Sequence, residues 1–159
     1  MKTVIGCIMM FIIMASQAFA QQIEVWSFTQ IPNQGDLYTV ETVVNDVILA
    51  GGTQGISRSI DKGGSWSKVY GNVCIRNIRC FGTTVYACGS DSLQGLILRS
   101  SDSGLSWQTV LSAPGKYFSS IYPASASKIY ALYPAIGAGV MYRSTNSGTS
   151  WDSLFSSGE

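Results

Sequence analysis

Three octets recur in phase along the 159-residue chain, and no other feature narrows its fold as much. They are Ser59-Ile60-Asp61-Lys62-Gly63-Gly64-Ser65-Trp66, Ser100-Ser101-Asp102-Ser103-Gly104-Leu105-Ser106-Trp107 and Ser144-Thr145-Asn146-Ser147-Gly148-Thr149-Ser150-Trp151. An arginine stands before each (Arg58, Arg99, Arg143), and an apolar residue follows three places after each Trp (Val69, Val110, Leu154). The indoles at 66, 107 and 151 are 41 and 44 residues apart. Self-similarity at that period means a repeat architecture, in which each unit is one supersecondary element.

The flanks repeat too. Val47-Ile48-Leu49-Ala50, Val85-Tyr86-Ala87-Cys88 and Ile129-Tyr130-Ala131-Leu132 are short β-branched and aromatic runs upstream of the octets. Each is followed by a glycine-bearing turn (Gly55, Gly95, Gly139) and then by a second run ending in Arg-Ser. Ahead of each lies another candidate strand, at Tyr38 to Val44, Cys74 to Phe81 and Tyr117 to Tyr122. A unit therefore reads as four short strands, with the octet as the last turn and the last strand beginning at its Trp. The predicted fold is all-β: about three four-stranded antiparallel blades of a β-propeller, over residues 36–70, 74–111 and 117–155.

Each octet residue has a physical task in a tight turn. A short Asp or Asn side chain folds back to accept backbone N–H groups. Gly63, Gly104 and Gly148 supply the positive φ that a Cβ would penalise. The Trp lays a large apolar ring on a neighbouring strand. These are structural tasks, so Ser59, Asp61, Gly63, Trp66, Ser100, Asp102, Gly104, Trp107, Ser144, Asn146, Gly148 and Trp151 are read as turn formers and not as catalysts.

The octets resemble the Asp-box, or BNR, repeat of pattern Ser-x-Asp-x-Gly-x-Thr-Trp. The resemblance runs from about Trp26 to the end of the chain, with Asn146 replacing the usual Asp and Ser65, Ser106 and Ser150 replacing Thr. It extends to sialidase-like propellers, sortilin ectodomains and the photosystem assembly factor group. It implies a propeller and either a non-enzymatic scaffold that binds protein or glycan through its faces, or part of a sialidase or other glycoside hydrolase.

Trp26-Ser27-Phe28-Thr29 resembles the strand after each octet, so residues 23–30 are expected to form a leading strand. Three blades do not close a ring, since known propellers use at least four. The expectation is an N-terminal piece of a longer protein or an open array, and exposed sheet edges favour the former.

Residues 1–20 read as a secretory signal: Lys2, an apolar run from Val4 to Ala15, and Ala18-Phe19-Ala20 as cleavage site. Export to the periplasm, cell surface or medium is expected, with residues 21–159 as the mature chain and no membrane span in it. Only 12% of residues are charged, against about a quarter in an average soluble protein, so the surface depends on Ser, Thr, Asn and Gln for solubility.

With 10 Lys+Arg against 9 Asp+Glu, the chain lacks the basic footprint of a nucleic-acid binder. Having no His, it has no His-based triad or His-ligated zinc. No cofactor or metal is expected. Arg58, Arg99 and Arg143 suggest the arginine triad of sialidases, but they occupy the same place in every repeat, whereas a catalytic cluster needs residues that differ between blades. The enzymes' Arg-Ile-Pro segment is also lacking. The guanidinium groups are expected to cover neighbouring strands or bond carbonyls.

Outside the octets and terminal Glu159, the acids are Glu24, Asp36, Glu41, Asp46, Asp91 and Asp152. No spacing among them singles out the carboxyl pair that a glycosidase needs, and Asp46 and Asp91 read as turn residues. Tyr70, Tyr117, Tyr122, Tyr133 and Tyr142 are candidates for a glycan platform, though strand preference accounts for most of them. Of Cys74, Cys80 and Cys88, Cys80 and Cys88 flank a turn around Thr83-Thr84 and are the candidate disulfide pair of an exported chain.

Overall fold

The computed structural model describes residues 31, 35–135 and 139–156. The signal segment 1–20 and the leading strand 23–30 lie outside the described residues. Twelve strands form three four-stranded sheets, each a simple antiparallel meander. Blade 1 is β1 (Leu37–Thr42), β2 (Ile48–Gly52), β3 (Gly55–Ser59) and β4 (Ser67–Gly71). Blade 2 is β5 (Cys74–Phe81), β6 (Thr84–Ser90), β7 (Gln94–Ser100) and β8 (Gln108–Pro114). Blade 3 is β9 (Ser120–Pro123), β10 (Ile129–Tyr133), β11 (Val140–Ser144) and β12 (Asp152–Ser156). These are successive propeller blades, with the octets as the turns between third and fourth strands. The fourth strands begin one residue after the Trp, and β9 begins at Ser120, three residues later than its sequence run suggested.

The registers superpose unit on unit. Ala50 lies opposite Val40, Ala87 opposite Ile78, and Ala131 opposite Ile121. Every third strand breaks register against its fourth at the same place, between Ile56 and Ser57, Ile97 and Leu98, and Met141 and Tyr142. A bulge there adds twist and turns the outer strand away.

A lone four-stranded sheet has no core of its own, so the apolar faces are buried between blades. Leu49 and Ile56 of blade 1 meet Ile75, Ile78, Val85 and Leu98 of blade 2, all fully buried. Tyr86, Cys88 and Ile97, on the other face of blade 2, meet Phe118, Ile121 and Ile129. Trp107 packs into the first cluster and Trp151 into the second, so each indole seals its blade against the one before. Each fully buried side chain contributes about 1.5–3 kcal/mol, which makes these contacts the main source of stability.

The first strands β1, β5 and β9 lie side by side at the convergent edge of the blades. Side chains stitch them together. Thr39 Oγ1 accepts from Ile78 N (3.2 Å), and Asn77 Oδ1, at the equivalent place one blade on, accepts from Ile121 N (3.1 Å).

Candidate functional site

The octets share one hydrogen-bond pattern. Ser59 Oγ donates to Asp61 Oδ1 (2.8 Å) and accepts from Gly63 N (2.9 Å). Asp61 also takes Ser65 N (2.8 Å) and Ser65 Oγ (2.7 Å), while Trp66 Nε1 donates to Gly63 O (3.1 Å). Ser100, Asp102, Gly104, Ser106 and Trp107 repeat the pattern. The Ser65 hydroxyl and amide, with Ser59, hold the Asp61 carboxyl down at about 2, and Ser106 does the same first of all for Asp102. In the third octet Asn146 Oδ1 keeps both acceptor bonds, from Ser144 Oγ and Ser150 N, while Nδ2 donates to Ser150 Oγ (2.9 Å). The hydroxyl reverses its role from donor to acceptor, so the amide fits the same turn.

Gly63, Gly104 and Gly148 have φ of 93°, 81° and 91°, as their place in the turn demanded. The residue before each, Lys62, Ser103 and Ser147, is also left-handed at 56–59°. No sequence signal marks that position, because a polar residue there gives no hint of φ. The octets are self-satisfied turns with no free carboxylate.

The arginines do not converge. Arg58 Nε donates to Ser103 O (3.0 Å), the fourth position of the next octet, so it bonds a neighbouring blade's carbonyl as expected. Arg99 lines a cleft with Ser147 and Gly148, the equivalent place one blade on. Arg143 lies 3.8 Å from Asp152 through Nη2. The Nε atoms of Arg99 and Arg143 are buried without a hydrogen-bond partner.

The remaining acids are dispersed. Glu41 accepts from Cys80 N (3.0 Å) and pairs with Arg79 (3.3 Å). Asp46 sits in a left-handed turn with Asn45 and faces Lys62 at 3.5 Å. Asp91 accepts from Leu93 N and Gln94 N, which lower its carboxyl. Asp36 donates its own N–H to Thr53 Oγ1, and Glu24 lies outside the described residues. Among the described residues no three His, Cys, Asp or Glu side chains gather as a metal site. No described helix is long and apolar enough to cross a membrane.

The expected Cys80–Cys88 bridge is not formed. The turn falls at Gly82-Thr83, with Gly82 at φ 62°, so Cys80 lies opposite Val85 and Cys88 opposite Asn77. Cys74, Cys80 and Cys88 are free thiols. Burial, then Glu41, pushes Cys80 up to about 11, and burial pushes Cys88 up to about 12, which leaves both protonated at neutral pH.

Two groupings remain, one exposed and one half-buried. On the first strands, the Arg76 guanidinium stacks 4.4 Å over the Tyr38 ring, and the Arg79–Glu41 pair lies farther along the same two strands. Tyr38, Arg76 and Arg79 are all exposed. At the start of blade 3, Lys116 bonds Tyr142 Oη and lies over the Tyr133 and Tyr142 rings. Tyr117 meets Tyr133 edge to face at 5.6 Å. Tyr122 lies apart from these, on the outer face of blade 3 with Ser120, Leu132 and Met141, and Tyr70 packs into the first core.

Fold and surface together define a partial β-propeller, and solved structures agree. YCF48 from Cyanidioschyzon merolae superposes with a TM-score of 0.67 at 19% identity, over 81% of this chain and 40% of that one. YCF48 bound to D1 peptide gives 0.67 at 16% identity, over 81% and 42%. An ancestral GH74 enzyme gives 0.64 at 20% identity, over 84% of this chain and 20% of that one. The chain thus spans about two fifths of YCF48 and a fifth of the enzyme. No family model and no curated protein matches the sequence.

Proposed function

We propose that this chain is part of an exported, non-enzymatic Asp-box repeat scaffold that binds a protein segment along its convergent first strands. The observation that carries the reading is the exposed Tyr38–Arg76 stack beside Arg79 and Glu41. It offers an aromatic face, two guanidinium groups and a carboxylate on rigid strands of adjacent blades. A guanidinium held over a ring is pre-ordered for a carboxylate-bearing peptide and loses little entropy on binding. That a structure of similar fold is YCF48 bound to D1 peptide supports the peptide reading.

The exposed Tyr117 ring beside Tyr133 favours a second reading, a glycan contact, and a GH74 enzyme is among the similar folds. The test is fluorescence anisotropy with acidic peptides, alongside reducing-end assays on β-glucans and fluorogenic sialosides. Arg76→Ala is expected to weaken peptide binding about tenfold, the scale of one charged hydrogen bond. Unchanged peptide affinity in that variant refutes the peptide site. Glycan turnover lost on changing one carboxylate outside the octets refutes the non-enzymatic reading.

A further inference from the structure

At the joint between blades 2 and 3, a polar cleft of about 280 Å3 lies between the outer strands of blade 2 and the third octet. Arg99, Gln108 and Thr109 line it from blade 2, Ser147 and Thr149 from the octet. Val110 and Gly148 meet between them, so close that a Cβ added at Gly148 would stand 3.2 Å from Val110 Cγ2. The same place at the joint between blades 1 and 2 is built differently. By strand register Ser67 stands there for Gln108 and Lys68 for Thr109, and by octet position Leu105 stands for Thr149. The second joint thus departs from the repeat, carrying uncharged hydrogen-bonding groups in place of a lysine and a leucine.

The three octet arginines differ in what they meet. Arg58 Nε donates to the Ser103 carbonyl. Arg143 Nε is buried and unbonded, but its Nη2 faces Asp152, the residue opposite it in register. Arg99 Nε is buried and unbonded as well, and the residue opposite it is the neutral Gln108. Among the described residues no carboxylate pairs with Arg99. The groups around it are sorted by kind. Arg99 and the Gln108 amide offer donors from blade 2. On the octet side Ser147 Oγ already donates to Ala126 O (3.0 Å) and Thr149 Oγ1 to Asn146 O (2.9 Å), so both oxygens are left to accept. One unmatched guanidinium balances one negative charge, and its planar fork suits a carboxylate. The volume, just under the roughly 300–1,000 Å3 of ordinary small-molecule sites, admits one ring.

We propose that this cleft binds a sugar acid, a single polyhydroxylated ring bearing one carboxylate, as in a hexuronate. The carboxylate accepts from Arg99 and Gln108, and ring hydroxyls donate to Ser147 and Thr149. The site is separate from the Tyr38–Arg76 stack and does not depend on the peptide reading.

Isothermal titration calorimetry of the purified chain with sodium D-glucuronate, at constant ionic strength, tests this. One saturable site in the millimolar range or tighter is expected. Glucose has the hydroxyls without the carboxylate and acetate the carboxylate without the hydroxyls, so each should bind about tenfold more weakly or worse. Arg99→Gln should weaken glucuronate by about tenfold or more. Gln108→Asp, at an exposed position, should do the same, because it sets a carboxylate opposite Arg99 as Asp152 stands opposite Arg143. Arg76→Ala should leave glucuronate binding unchanged.

The lack of a saturable glucuronate site overturns the proposal. So does acetate that binds as well as glucuronate, which would mean an adventitious ion only, or glucose that does, which would leave Arg99 without a role. Undiminished binding in Gln108→Asp overturns it too, and that variant decides the matter if circular dichroism shows Arg99→Gln unfolded. Glucuronate binding lost in Arg76→Ala would put the sugar acid on the first strands and overturn its assignment to the cleft.

Discussion

Gly104→Ala probes the joint between blades 1 and 2 most directly. Gly104 has φ 81°, and a Cβ there would stand 2.6 Å from Leu49 Cδ2 and 2.7 Å from Leu49 Cδ1. Leu49 is fully buried among the side chains of both blades and has no room to retreat. Left-handed strain costs about 1–2 kcal/mol, and overpacking adds about 1–3 kcal/mol. The expected loss is therefore about 2–5 kcal/mol, a large share of the 5–15 kcal/mol that holds a typical domain.

Gly82→Ala supplies the control. Gly82 has φ 62° and nothing within 4 Å of its would-be Cβ, so only the strain of about 1–2 kcal/mol applies. Gly148, at 3.2 Å from Val110, falls between the two. Urea unfolding followed by tryptophan emission reads all three. A double-mutant cycle completes the test: in a Leu49→Ala background, Gly104→Ala should cost only the strain, giving a coupling of about 1–3 kcal/mol. Equal losses for Gly104→Ala and Gly82→Ala, or a coupling near zero, would refute the claim that the second octet seats on the blade 1 core.

Stability should respond to acid mainly through the first two octets, with the lowered Asp91 carboxyl acting in the same direction. The Asp61 and Asp102 carboxyls are held at about 2, below their value of about 4 in an unfolded chain. Their contribution is therefore complete above pH 4 and lost as pH falls through 2. Asp61→Asn with Asp102→Asn should reduce the pH slope of the urea midpoint across that window to the part Asp91 leaves, since Asn146 already makes the turn with an amide; an unchanged slope would refute it. Arg58→Ala should cost about 1–3 kcal/mol through its bond to Ser103 O, and Arg143→Ala less, since its Nε has no partner. Thiol titration of the unreduced, denatured chain should find Cys74, Cys80 and Cys88 all free, with Cys88 unreactive before unfolding; a missing pair would show that a bridge forms.

Most of the fold was legible because the octet residues act locally. A carboxylate, a glycine and an indole within eight positions determine a turn by short-range bonds, and three copies in phase fix the strands between them. Position four was not legible, because Lys62, Ser103 and Ser147 are forced left-handed by the bonds around them. The cysteine pairing failed because the turn falls at Gly82-Thr83 and not around Thr83-Thr84, which sets Cys80 opposite Val85 and Cys88 opposite Asn77. The third-strand bulges are set by sheet twist, which leaves no residue signature. The Tyr38–Arg76 stack joins strands 38 residues apart, and only the packing of blade on blade brings them together.

The hydrogen bonds that join the blades reach only the adjoining unit: Ile78 N–H to Thr39, Ile121 N–H to Asn77, and Arg58 Nε–H to Ser103 O. A genetic duplication or deletion of one whole unit is expected to keep the first-strand links, because Thr39, Asn77 and Ser120 stand at equivalent places and each needs only the kind of neighbour it already has. Such a chain can lengthen or shorten by recombination without redesign, and a lesion in one unit is confined to the two that touch it.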